Sequence, residues 1–265
     1  VTTGLVVGSL VSLVACGSFA FVAHVFWTWP AGRTQGGATR AFALLWVAMS
    51  IFMAERGLVG LAAAAGSAPL PLYVATRYVE VVLVCVAAWG MTYYVAYLYT
   101  GWRSLRPLLA VYFLLVGLAY AAATAAGRPS GVTVSGWSAG LTPATPFIDA
   151  IYLAFGLPML VSILAYLTFA GRPITPIQRY RVVLTSASLF AWVLAGLAAS
   201  IAGDSFASFL AITLLGIVTA LGVFLAHRPP EAVRRRLSAG RSPAQRTTGV
   251  QLSRERFRER VAELV

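Results

Sequence analysis

Lysine is missing from this chain, whose twenty basic side chains are all arginine, a usage that reflects a GC-rich genome more than any chemistry. Cysteine is nearly missing too. Cys16 and Cys85 both fall within long apolar runs, where they read as small apolar fillers, so neither a disulfide framework nor a paired-thiolate metal site is expected. With His24 and His227 as the two histidines, metal catalysis has almost no ligands to draw on, and His24 reads as an interfacial or packing residue. The sequence contains no HExxH, no GxSxG and no Ser-His-Asp set that the topology would join. The chain is therefore not expected to be an enzyme.

Charge is also scarce. Only 11% of the 265 residues are charged, against 59% hydrophobic, and the mean hydropathy of +0.81 lies outside the range of soluble globular domains. The apolar residues come in blocks of about twenty or more, the length a helix needs to cross roughly 30 Å of hydrocarbon. Seven such blocks run approximately over Thr3–Trp27, Thr39–Ala64, Leu70–Tyr99, Leu105–Ala126, Thr145–Ala170, Arg179–Ile201 and Phe206–His227. The first lacks a basic leader and is as long as the others, so it reads as a mature span and not a signal peptide. The expected architecture is all-α: a polytopic bundle over residues 1–227, followed by a basic tail over 228–265.

Arginine sets the expected orientation. Arg33 and Arg40 lie in the first connection, Arg103 and Arg106 in the third, and Arg172 with Arg179 and Arg181 at the fifth, whereas the even connections hold Arg128 alone. By the positive-inside rule the N-terminus is outside and the C-terminus cytoplasmic, in the cell membrane. The net charge of +12 is thus largely topogenic and does not point to nucleic acid. From Arg228 onward ten arginines against Glu231, Glu255, Glu259 and Glu263 leave six net positive charges facing an anionic leaflet. Within this tail, Ser253 can cap a short helix that places Phe257, Val261 and Leu264 on one side. That helix reads as a surface anchor or as a docking element for a cytoplasmic signalling partner.

Inside the spans stand charges that the bilayer penalises. Glu55 and Arg56 lie late in the second block, Arg77 and Glu80 early in the third, at comparable depth in the outer half. Lone ions there cost several kcal/mol each, so such residues face the bundle interior and pair. Arg77 and Glu80 share a helix face, while Glu55 and Arg56 point about 100° apart, one toward the bundle and one toward its rim. Asp149, Tyr73, Tyr78 and Tyr152 could extend the cluster; Asp204 belongs to a short outer loop, solvated or capping the seventh helix. Two readings stay open: an ion-pair network that fixes helix register, or an ion or ligand site.

Seven spans, an external N-terminus and the run Arg77-Tyr78-Val79-Glu80 resemble a microbial rhodopsin. The resemblance implies a seven-helix bundle in which Glu80 stands at the position of the counterion to a retinal Schiff base. The sixth block, VVLTSASLFAW from Val182 to Trp192, and the seventh, LLGIVTALGVFLAHR, resemble the family's sixth and seventh helices. The departures bear on function. Where the family's seventh helix carries Asp-x-x-x-Lys, this chain has Gly216 and Ala220, and without lysine no retinal Schiff base can form. Val81 and Thr185 stand where retinal-sandwiching aromatics are usual, and Met91 replaces a proton-donor carboxylate.

The leading expectation is a rhodopsin-like membrane protein without Schiff-base retinal, acting as a non-pumping sensor or binding a small apolar ligand. Val81, Cys85, Thr185, Ser188, Trp192, Gly216 and Ala220 would line its central pocket, with the small residues either closing or enlarging it. Covalent cofactors are not expected; noncovalent retinal or a carotenoid stays compatible. The alternatives are an ion channel or transporter using the outer Arg/Glu cluster, or a structural assembly protein, and a homo-oligomer is compatible with each.

Overall fold

The computed structural model describes residues 2–28, 36–67, 69–127, 131–134, 136, 139–142, 148–202 and 205–239. Seven long helices follow one another: α1 (Thr2–Trp27), α2 (Gly36–Ala64), α3 (Leu70–Thr100), α4 (Leu105–Ala126), α5 (Ile148–Leu167), α6 (Pro176–Ala202) and α7 (Phe206–His227). All seven are long and apolar enough to cross a membrane. Their outward faces carry Val14, Leu114, Leu115, Val161, Val218 and Leu221 in the open. So much exposed apolar surface suits acyl chains and not water. The chain is a multi-pass, predominantly helical membrane protein.

The helices form a closed ring. α1 packs on α2 and α7, α2 on α3, α5 on α6 and α6 on α7, while α3 touches both α4 and α5. Because α3 reaches α5 directly, α4 sits at the periphery, and its buried residues are few: Phe113, Gly117, Tyr120 and Thr124. Close approach depends on small residues. A Cβ at Gly90 of α3 would meet the Ala41 carbonyl oxygen of α2, so the two backbones pack at a distance only glycine permits.

Helix ends follow local chemistry. α3 stops at Gly101, whose φ of 71° is left-handed and whose N–H donates to the Tyr97 carbonyl at 2.7 Å. α6 starts three residues before its expected first residue, Arg179. The reason is a capping box: the Gln178 N–H donates to Thr175 Oγ1 at 3.3 Å, and the Thr175 N–H donates to Gln178 Oε1 at 3.0 Å. Pro176 at the first position costs no intrahelical bond. Ser205 caps α7 by accepting from the Ser208 N–H at 3.1 Å; Asp204, the expected cap or loop residue, lies outside the described residues.

Two features were not in the all-α expectation. Between α4 and α5 runs an antiparallel hairpin, β1 (Gly131–Val134) with β2 (Ala139–Thr142), in the register Val132 to Leu141 and Thr133 to Gly140. It folds back over the bundle: β1 and β2 touch α3, β2 also touches α2, and a Cβ at Gly4 of α1 would meet the Gly136 carbonyl. After α7 comes a short helix, α8 (Glu231–Ala239), at the start of the basic tail. Glu231 and Arg235 pair on its surface at 2.6 Å. The helix expected around Phe257, Val261 and Leu264 lies outside the described residues, as do Arg33 and Arg128.

The middle of the ring is filled by aromatic side chains. Trp46 of α2 and Trp192 of α6 stack, ring centroids 6.0 Å apart and planes within 4° of parallel. Phe19 of α1 lies 5.6 Å from Trp46 and 5.5 Å from Trp192. Phe42 stands edge-on to Trp46 and stacks on Tyr94 of α3 at 4.2 Å. Aromatic pairs at these separations add about 0.5–1.5 kcal/mol each beyond the area they bury. The column runs from mid-bundle toward the end away from the hairpin.

Candidate functional site: a polar vestibule beneath the hairpin

Above this column, at the hairpin end, the packing opens into a cavity of about 190 Å3. That is several times the roughly 30 Å3 share of one water. α3 supplies Tyr73, Thr76, Arg77 and Glu80, spaced so that one helical stripe faces inward. α2 supplies Glu55, Arg56, Val59 and Gly60; α1 supplies Ser9 and Ser12; the hairpin roofs it with Thr133 and residues 139–141.

Glu80 holds the centre. Its Oε2 lies 3.0 Å from Arg77 Nη1 and its Oε1 3.5 Å from Arg56 Nε, so one carboxylate bridges two guanidiniums on two helices. Exposure grades across the trio: Glu80 is 14% exposed, Arg77 25% and Arg56 44%. Arg77 also donates to the Tyr120 hydroxyl of α4 at 3.2 Å, which ties α3 to the peripheral helix. Arg56 lies over the Phe52 ring, 5.0 Å from its centroid.

A second cavity of about 70 Å3 lies between Phe52, Val81, Val84, Tyr120 and Phe155. Arg56, Arg77 and Glu80 line both cavities, so the ion-pair trio is the partition between them. One side is polar and roofed by backbone. The other is aromatic and aliphatic.

Two polar groups in the larger cavity have unmade hydrogen bonds. Glu55 Oε2 is buried with no partner, although the Thr76 hydroxyl is within reach of the carboxyl group. Ser9, 3% exposed, has its Oγ likewise without a partner. Buried polar atoms in native proteins are nearly always satisfied; Trp46 Nε1, Thr92 Oγ1, Arg181 Nε, Thr185 Oγ1 and Ser186 Oγ also lack a partner among the described residues, and Glu55 and Ser9 are the pair that lines this cavity.

The expected residues divide as follows. Glu55, Arg56, Arg77 and Glu80 surround one cavity, with Glu55 inward and Arg56 at the rim. Tyr73, 3% exposed, joins them. Tyr78 does not: it is 37% exposed and off the inward stripe of α3. Asp149 belongs to the first turn of α5, but its side chain and that of Tyr152 lie outside the described residues.

The seven expected pocket-lining residues do not share one chamber. Val81 and Cys85 face α4, against Gly117, and the Cys85 thiol donates to the Phe113 carbonyl at 3.3 Å. Trp192 belongs to the aromatic column, and a Cβ at Gly216 would come within 3.0 Å of Phe19 Cζ and 3.1 Å of Trp192 Nε1. Ser188 offers its carbonyl to the Thr219 hydroxyl at 2.9 Å, Ala220 is 1% exposed, and Thr185 is buried. These small residues serve close α6–α7 packing.

Sequence reasoning did not place Ser9, Ser12, Thr76 or the hairpin at the site. The serines were visible as polar residues on the first block, but nothing in the sequence brings that block against Glu55. Among the described residues no three His, Cys, Asp or Glu side chains converge as a metal site would require. No protein-family model matches the chain, and no curated protein matches its sequence.

Proposed function

We propose that this chain is a seven-helix membrane sensor of the microbial rhodopsin type whose recognition site is the polar vestibule and not a retinal chamber. In this reading the hairpin end and the N-terminus face outward, and α8 and the basic tail lie at the cytoplasmic face of the cell membrane. A small polar molecule entering beneath the hairpin would meet the Glu55, Arg56, Arg77 and Glu80 side chains. Its effect would pass along α3 to the tail, where a signalling partner docks.

One observation carries the reading: a roofed cavity in which two buried polar atoms, Glu55 Oε2 and Ser9 Oγ, have no partner. Each such orphan costs about 1–3 kcal/mol unless a partner arrives, and among the orphaned atoms of the described residues these are the two that line the cavity of the ion-pair trio. The helix ring and the Arg77-Tyr78-Val79-Glu80 run support the family likeness. Against a retinoid or carotenoid stands the column of Phe19, Trp46 and Trp192, which such a ligand would have to displace.

The test is thermal unfolding of the purified protein with panels of small polar and of long apolar compounds. Protection by a polar compound, lost in Glu80→Gln, is expected. Protection confined to apolar compounds and indifferent to Glu80 would overturn the reading.

A further inference from the structure

The vestibule lining carries two carboxylates and two guanidiniums, and only some of their bonding groups are used. Glu80 is neutralised by Arg77 and Arg56 together. Glu55, on the same helix as Arg56, keeps Oε2 buried and unpartnered. Ser9 also lines the cavity, and its hydroxyl is equally unmatched. The carboxylate oxygen needs an N–H or O–H donor, and the serine hydroxyl can accept from one as well as donate.

At the rim the balance is reversed. Arg56 approaches Glu80 through Nε at 3.5 Å, and no hydrogen bond of its terminal nitrogens is found among the described residues. Its 44% exposure leaves the guanidinium open toward whatever enters. A guanidinium with free terminal N–H groups is a fork for a carboxylate. Glu55 and Arg56 are adjacent in sequence and about 100° apart around the helix, so Glu55 lies inward while Arg56 stays at the rim of the same cavity.

With all four ionised, the side chains sum to zero charge. A lone cation or a lone anion would leave the site charged, whereas a molecule bearing both charges leaves it neutral and satisfies both ends. From this we infer that the vestibule binds a small zwitterion with a primary ammonium, of the α-amino acid class: ammonium on Glu55 and Ser9, carboxylate on Arg56. A quaternary ammonium would fail, because it brings no N–H to the two orphan oxygens. The cavity volume, about 190 Å3, suits an amino acid with a small side chain. Tyr73 and Phe209 add apolar wall. This inference rests on the vestibule being the recognition site.

The experiment titrates the full chain in nanodiscs with glycine, L-alanine, methylamine, acetate and glycine betaine, following heat of binding and thermal shift. Glycine and L-alanine are expected to saturate, methylamine and acetate to bind at least ~10-fold more weakly, the equivalent of about 1.4 kcal/mol, and betaine not at all. Glu55→Gln and Arg56→Gln should each weaken glycine by at least ~10-fold. Ser9→Ala, which removes a buried hydroxyl that has no partner, should weaken glycine measurably while stability without ligand stays the same or rises.

Methylamine or betaine binding as well as glycine overturns the zwitterion assignment, as does glycine binding that ignores both Glu55→Gln and Ser9→Ala. Should none of the five bind while another small polar molecule does so in a Glu80-dependent way, the zwitterion falls and the vestibule reading stands. If no small molecule binds at all, both fall.

Discussion

Arg56 and Glu80 face one another across the α2–α3 interface, with Nε and Oε1 3.5 Å apart. The contact joins two helices within their long apolar segments, where a lone ion is penalised, and Arg77 completes it from Glu80's own helix at 3.0 Å. Glu80 is therefore the residue whose neutralisation disturbs the most. Glu80→Gln strands both guanidiniums and is expected to lower stability by about 2 kcal/mol. That is less than the ~3–5 kcal/mol of a fully buried pair, because Arg56 keeps part of its hydration. Thermal unfolding in detergent measures it, and Arg77→Gln/Glu80→Gln should recover part of the loss. Equal stability of Glu80→Gln and wild type would remove the trio from the account of α2–α3 packing.

Gly90→Val should destabilise by about 2 kcal/mol or more, since its Cβ would meet the Ala41 carbonyl oxygen and force α2 and α3 apart. Loss of monodisperse protein on size exclusion, or a lowered melting temperature, is the readout. A variant that expresses and melts as wild type would show that the helices have slack there.

Trp192→Ala should cost about 3 kcal/mol, because the indole packs against Phe19, Trp46 and Gly216 at the centre of the ring. The same change opens an apolar hole, so the variant should gain protection from long apolar compounds that leave wild type unaffected. Wild type protected as strongly as the variant would mean that the column parts more readily than its packing implies.

Retinal incubated with the protein and reduced with borohydride should leave no adduct on any side chain, since no lysine exists to supply the amine. Intact-mass measurement decides this, and a side-chain adduct would require a nucleophile that the sequence does not contain.

Liposomes containing the protein should show no ion flux above background. An ion leaving the vestibule would meet Phe19, Trp46 and Trp192 before any further polar group of the column, and hydrocarbon-like packing does not replace a hydration shell. Flux that Glu80→Gln abolishes would instead favour a channel.

The seven spans were legible because apolar length alone decides them. Their ends were less so: Thr175-Pro176-Ile177-Gln178 holds a capping box that starts α6 three residues before Arg179, the expected first residue of that span. The hairpin was missed although Val132, Thr133 and Val134 are strand formers, because four-residue strands barely interrupt a chain dominated by helix. At the site, Arg77 and Glu80 were readable from their spacing on one helix. Ser9 was not. Its part depends on which helices become neighbours, and hydropathy says nothing of that.

The parallel stack of Trp46 on Trp192 has a use beyond packing. Two indoles held face to face couple their electronic transitions, so the ultraviolet circular dichroism of the unlabelled protein carries a signature of their mutual angle. Any rearrangement that separates the second helix from the sixth would erase that signature. The molecule thus contains its own optical gauge of whether the ring is shut.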